Sequence, residues 1–518
     1  MWFYGQQSAP SLSISDRRER MNRALRFAAV LPLLFALYLP GCKKQEEPSY
    51  ISGRVQVNEG DASGVVVEIY EAVPLSSTSV WYKTNSVPAV GFPYRLQAAF
   101  DFRREQSRLR ASLSTDGGGG YKSSDLPDGD YVVVARKSGY GWSEPRAVVL
   151  NGKSAEAGTV TLAPEIQIGE NVTLHGNVTW AAGRHYVLGQ RMNVGNDAIL
   201  TIEPGVVVRL PVGGSVQIMG AIIAEGTEEA YITFTSDEAI PASQDWFYLK
   251  FNAGAAPPYF RYCTFSYSDN GVFSSVPGGR IEYCSFYAVG GQAATLIGSS
   301  AATSDSIVVR GNVTDRTTVA FVVAQGGNSP LLIERNALYG CSQYGLKLMV
   351  VRSGSVYCNW FYNCGRSSGD TLTGLSTTGA IFGRDLKNME IHRNEFSTSW
   401  YGLSLGSLVD SSVFTHHNLF FRVNRVMNIA ETPDYRGASF PHLYQNCIKT
   451  CPRYYVYVDA CLINNKVIDA RNNYWDGRGE TQIQNDFLYD CHRNTECPCI
   501  LIAPVLTDCP DEEVGICS

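Results

Sequence analysis

One pattern recurs nine times between residues 260 and 474: an apolar residue, two variable residues, Asn or Cys, one variable residue, then a second apolar residue. Its fourth position falls at Cys263, Cys284, Asn312, Asn336, Asn359, Asn394, Asn418, Asn446 and Asn472, in steps of 21, 28, 24, 23, 35, 24, 28 and 26 residues. Thr314, Thr415 and Asp469 fit the apolar positions poorly. A period of roughly 20 to 30 residues with short strands means a solenoid, because each unit can bury its apolar side only against the next. The signatures of leucine-rich and helical repeats are missing. An amide at one inward turn position, repeated coil after coil at about 4.8 Å, can bond the turn backbone and the next amide. Turn groups that would otherwise be buried unpaired are then satisfied. Cys263 and Cys284 occupy the same position, where a small side chain packs into the same space, and they are expected to stack there either bonded or as free thiols.

Upstream, residues 198–208, 215–227 and 232–236 read "AILTIEPGVVV", "SVQIMGAIIAEGT" and "ITFTS". These segments, with "ARNNYWD" at 470–476, Tyr489, Asp490, Ala503 and Pro504, resemble the opening and closing coils of bacterial right-handed parallel β-helix surface proteins. The resemblance covers 164–508 and implies a pectate-lyase-like solenoid. It specifies fold far better than function. The step of 35 residues, spanning 365 to 387, carries the longest loop leaving the coil.

A leader precedes these segments. Arg23 and Arg26 are followed by an apolar run of 13 residues, Phe27 to Leu39, and then by Pro40, Gly41 and Cys42. The run is short for a membrane span, which needs about 20 residues, and suits a signal-peptide core. The ending resembles a bacterial lipobox, which implies cleavage at 42, acylation of Cys42 and anchoring by two or more chains. An ordinary cleaved signal with an incidental Cys is the alternative. Met21 is a candidate start. The absence of Asp after Cys42 points to the outer membrane or cell surface, and 43–49 reads as a tether.

Residues 50–163 alternate as strands at 51–57, 65–70, 132–135 and 158–162, with turns at 115–121 and 126–131. The order of these strands and turns resembles the carboxypeptidase regulatory-like domain, a seven-stranded β-sandwich. An inserted segment, 73–113, interrupts it. The apolar spacing of Tyr94 to Leu109 predicts a helix there. The resemblance implies a spacer without catalytic machinery. The expected fold is therefore all-β, a small sandwich followed by the β-helix and a Cys-bearing tail, 509–518.

The net charge of -6, with no basic run after the leader, argues against nucleic acid as a partner. Enzymes of this fold work in a long groove, with clustered carboxylates and a base. The Asp-Pro-His-Asp pattern of alginate epimerases and the Asp clusters of pectate lyases are missing, so no catalytic residue, cofactor or metal is assigned. The position two before each ladder residue should face outward on one sheet. It reads Arg261, Glu282, Arg310, Glu334, Tyr357, His392, His416 and Tyr444. One reading is a solvated stripe with weak charge pairing. The other is a ligand groove centred on Tyr357, His392, His416 and Tyr444, where rings suit sugar stacking and His suits proton transfer. Trp400 and Tyr401 are expected to flank it or to pack on a loop. His416 and His417 should diverge, as neighbours on a strand do, which disfavours a shared metal.

Of the 14 cysteines, 13 remain after Cys42. Cys341 and Cys364 each lie five beyond a ladder Asn, a spacing that suits an inter-coil disulfide. Cys491, Cys497, Cys499, Cys509 and Cys517, with His492, suit disulfides pinning the last coil, with a zinc site as the alternative. The leading expectation is a surface or periplasmic lipoprotein presenting a non-catalytic binding or adhesion face for polysaccharide or a surface protein. The rival is a polysaccharide lyase or glycoside hydrolase.

Overall fold

The computed structural model describes residues 49–510, except 74–77, 86–89, 93–99, 153, 302–304, 366–377, 407, 430–439, 454, 459–466 and 491–498. The lipobox, Cys42 and the tether through 48 lie outside the described residues, as do Cys491, His492, Cys497 and Cys517.

From Glu165 onward the chain winds through three parallel sheets. The first face has 11 strands, from Asn177–Trp180 to His442–Tyr444. The second has 13, from Glu165–Ile168 to Tyr474–Trp475, and the third has 13, from Val172–Leu174 to Leu488–Tyr489. Each strand pairs in parallel with its counterpart one coil away, so the body is a right-handed parallel β-helix. Strands of two to nine residues suffice because every coil adds one strand to each sheet.

The repeat residues sit in file at the turn between the first and second faces. Cys284 N–H donates to the side-chain oxygen of Asn312 at 2.8 Å. The same oxygen-to-backbone bond then links Asn312 to Asn336, Asn336 to Asn359, Asn359 to Asn394, Asn394 to Asn418 and Asn418 to Asn446, at 2.9 to 3.0 Å. All these Asn side chains are fully buried. The residue just before each, including Tyr283, Gly311, Arg335, Cys358, Arg393, His417 and Gln445, takes φ between 52° and 63°. This left-handed residue makes the corner, and the ladder amide satisfies the carbonyls that the corner leaves unpaired.

One ladder position differs from the expected one. Asn446 bonds Asn473, not Asn472, through N–H at 2.9 Å and through its amide at 2.9 Å. Asn472 is the corner residue, with φ 57°. Shifting the last repeat by one gives Ala470, Asn473 and Trp475, all buried, and removes the misfit at Asp469.

Two positions beyond the ladder, side chains fill the core in another file. Phe234, Phe265 and Phe286 stack at 5.0 and 4.9 Å, and Phe361, Phe396 and Phe420 at 4.9 and 4.7 Å. Cys341 and Cys364 are buried free thiols, not a disulfide. They belong to the next turn's polar file. The Thr317 hydroxyl bonds the Cys341 sulfur at 3.5 Å, and Cys364 donates to the Leu338 carbonyl at 3.5 Å. Cys263 and Cys284 are also buried thiols. A disulfide joins Cys447 to Cys509 and ties residues beyond the last strand to the body. Cys358 and Cys499 are disulfide-bonded as well.

Residues 51–162 form two small sheets. One has four antiparallel strands, ordered Leu109–Ser114, Val66–Glu71, Gly129–Arg136 and Arg146–Leu150. The other sets Ile51–Val57 between Gly120–Lys122 and Ala155–Leu162. Their shared core includes Ile51, Val67, Val133 and Val160.

Residues 93–99 of the expected helix over 94–109 lie outside the described residues, and 100–109 hold turns and one 3-10 turn, not a long helix. The helix of the inserted segment is Ser79–Asn85, and the tight turn near 106 leads into strand Leu109–Ser114. The segment lies along the outside of the second β-helix face. Val80, Val90 and Phe92 cover Val313, Ala337 and Trp360, which point outward there. Gly91 donates its N–H to the Arg335 carbonyl at 2.5 Å. Its φ of +72° and a Cβ that would lie 2.7 Å from Val313 Cγ2 both demand glycine. Lys83 pairs with Glu395. The sandwich is thus strapped to the solenoid by burial and by backbone bonds.

Candidate functional site

The outward file on the first face forms in strict register. Glu225 pairs with Arg261, Arg261 with Glu282, Glu282 with Arg310, Arg310 with Glu334, and Glu334 with Tyr357. Tyr357 pairs with His392, His392 with His416, and His416 with Tyr444. Parallel strands place identical positions over one another, so the file follows from the repeat itself.

The file has two halves. In the first, Arg261 Nη1 bonds Glu225 Oε1 at 3.1 Å, and Arg280 Nη2 bonds Glu282 Oε1 at 2.9 Å. Arg310 reaches Glu282 at 3.4 Å and also bonds Glu334 through Nε. Glu282 and Glu334 are each only 5% exposed, so cations on the neighbouring coils cover them. The hydroxyl of Tyr357 donates to the second Glu334 oxygen.

The second half is a stack of four rings. Tyr357, His392, His416 and Tyr444 follow one another at 5.2, 5.1 and 5.0 Å, with interplanar angles of 9°, 14° and 18°. The ring faces cover each other, so sugar stacking on those faces is not available along the row. The edges carry its chemistry. His392 Nε2 lies 3.2 Å from Ser355 Oγ, and His416 Nδ1 lies 2.8 Å from His417 Nδ1. Burial pushes both His392 and His416 down to about 4, and neighbouring cations and imidazoles add to this. Both rings are therefore neutral near pH 7 and each offers one donor and one acceptor.

His416 and His417 do not diverge as strand neighbours should. His417 is the left-handed corner residue, with φ 53°, and the corner swings its ring back to His416. Trp400 and Tyr401 do not flank the stack. Tyr401 is 4% exposed and begins the third-face strand Tyr401–Leu405, where Arg425 covers its ring at 5.2 Å. Two corners separate this position from the first face. Trp400 sits at the preceding turn with Arg453 at 5.6 Å from its ring. Among the described residues no group of three or more His, Cys, Asp or Glu is arranged to hold a metal.

A second outward file, three beyond the ladder, escaped the sequence reading. It contains Ser266, Tyr287, Asp315, Tyr339 and Tyr362 on the second face. Tyr339 and Tyr362 stack at 5.3 Å. Asp315 Oδ1 is buried without a hydrogen-bond partner, and burial pushes this carboxyl up to about 6. Reading every third residue after the ladder positions would have found it.

Residues 249–413 match the family of the right handed beta helix region. That span of the β-helix contains the ladder from Cys263 to Asn394 and the file from Arg261 to His392. No curated protein matches this chain closely enough to serve as a relative.

Proposed function

We propose that this protein is a surface or periplasmic lipoprotein, held by lipid on Cys42, whose β-helix presents a non-catalytic binding or adhesion face to glycans. The observation that carries this reading is the half-exposed row Tyr357, His392, His416 and Tyr444. It is a rigid line of neutral ring edges at the spacing of the coils. Such a line suits an extended, hydroxyl-rich chain, which meets hydrogen-bonding groups at regular intervals. The other half of the file supports the same reading, because its carboxylates are already committed to Arg partners and hold no open acid-base pair.

The contact chain Arg310, Glu334 and Tyr357 favours the rival, a polysaccharide lyase or glycoside hydrolase, since it joins a carboxylate to a phenol and a guanidinium. A glycan array and a lyase absorbance assay on the chain test both. Retention of a polysaccharide that falls at least about tenfold in a His392→Ala, His416→Ala double variant supports the binding face. Unsaturated uronic products abolished by Glu334→Gln would overturn it. Cys42→Ala is expected to release the protein from the membrane fraction.

A further inference from the structure

A cavity of about 540 Å³ lies where the sandwich meets the β-helix. Its floor is the outer surface of the second face, including Thr233 and Thr264, which are paired in register. The loop through Trp142 to Arg146 and the strand Ala155–Leu162 line it from the sandwich, and Asp101 to Glu105 line it from the inserted segment. Its size is that of small-ligand pockets, which favour junctions between domains.

The walls are held firmly. Arg103 is 7% exposed and bonds Asp101 at 2.7 Å, the Ser236 carbonyl at 2.6 Å and Thr235 at 3.1 Å. Its guanidinium and that of Arg209 each lie 4.9 Å from the Trp142 ring. His185 packs edge-on against the same ring at 5.0 Å.

The polar groups left over define the ligand. Among the described residues, the hydroxyls of Thr233 and Thr264 have no hydrogen-bond partner. Among the described residues the lining guanidiniums of Arg104 and Arg146, from the insert and the sandwich, have no carboxylate partner. Against them stands the unpaired carboxylate of Glu144. Among the described residues His185 Nδ1 is buried with no hydrogen-bond partner. Burial, with Arg209 and Arg103 nearby, pushes this ring down to about 3, so it is neutral near pH 7.

We propose that this cavity binds a short saccharide carrying an anionic group, a carboxylate or a phosphate. Its anion would lie between Arg104 and Arg146, and its hydroxyls would meet Thr233 and Thr264. Guanidiniums suit either anion by paired hydrogen bonds. The site is separate from the ring row on the first face, and the inference stands whether or not that row binds glycan.

Calorimetric titration of the full chain with trigalacturonate, galactose 6-phosphate and the uncharged galactose trimer tests it. The expected result is saturable binding of one or both anionic probes and at least tenfold weaker binding of the neutral one. An Arg104→Gln, Arg146→Gln double variant, folded by circular dichroism, should lose at least tenfold in affinity for the anionic probe. The His392→Ala, His416→Ala variant should retain it. No binding of either anion, equal binding of the neutral trimer, or indifference to the Arg double variant overturns the proposal. Loss in the His double variant alone would place the sugar on the first face and overturn it equally.

Discussion

The side-chain amide of Asn336 donates to the side-chain oxygen of Asn359 at 2.8 Å, and the Asn336 backbone N–H reaches the same oxygen at 3.0 Å. Asn359 in turn donates to the carbonyls of Ile333 and Tyr357, each at 3.0 Å. One amide thus satisfies two donors and two acceptors at a buried corner. Asn359→Ala leaves the buried Asn336 backbone N–H without its acceptor, removes the other bonds of this amide and opens a void. The expected loss is about 3–5 kcal/mol, read as a lower urea midpoint, with faster hydrogen exchange at the Asn336 amide. Unchanged exchange there would show that the file does not carry the corner.

Asp315 should make the protein less stable as pH rises. Burial pushes its carboxyl up to about 6, above the ordinary carboxylate value of 3.8. The folded state therefore holds the proton more tightly, and the associated stability is lost as pH climbs from about 4 through 6. Asp315→Asn is expected to be about 1–2 kcal/mol more stable than wild type at pH 7. The difference should shrink below pH 4, as measured by denaturant titration across pH.

The buried imidazoles pull the other way. Burial holds His392 and His416 at about 4 and His185 at about 3, below the ordinary imidazole value of 6.5. The unfolded chain then binds protons more tightly. Stability is fully present above about pH 6.5 and falls as pH drops toward 4. Each ring contributes about 1–3 kcal/mol to that loss. NMR titration should find His392 and His416 still neutral at pH 5.5, and His392→Phe should flatten the acid limb of the stability curve. A His392 ring titrating at its ordinary value would show that the stack does not desolvate it.

The Cys447–Cys509 disulfide closes a separation of 62 residues. Chain-entropy arguments assign a closure of that length about 4 kcal/mol. Cys509→Ser should lower stability by up to that amount, and limited proteolysis should cut the C-terminal segment first. Equal protease resistance in the variant would assign closure of the last coil to packing alone.

The repeat made the solenoid, the Asn file and the outward register of residues 261 to 444 legible, because parallel coils place equivalent positions over one another. The misplacements share a cause at the corners. Asn472 and Asn473 are adjacent amides, and only the left-handed φ of Asn472 decides which turns inward. The corner at His417 reverses the divergence expected of strand neighbours. Two such corners carry Trp400 and Tyr401 to another face. Cys341 and Cys364 do stand in one file, but as free thiols that bond Thr317 and the Leu338 carbonyl.

By itself the sequence determined the period, the buried amides and which residues line up along each sheet, since these depend on local alternation and on one small polar residue per turn. Only the tertiary structure decided what those lines become. Coil spacing turned rings expected to receive sugars into a stack whose faces cover each other. Packing of Val80, Val90 and Phe92 on Val313, Ala337 and Trp360 strapped the sandwich, expected as a spacer, to the solenoid, with a cavity beside it. Burial and contact between segments far apart in the chain set those outcomes, and no local pattern encodes them.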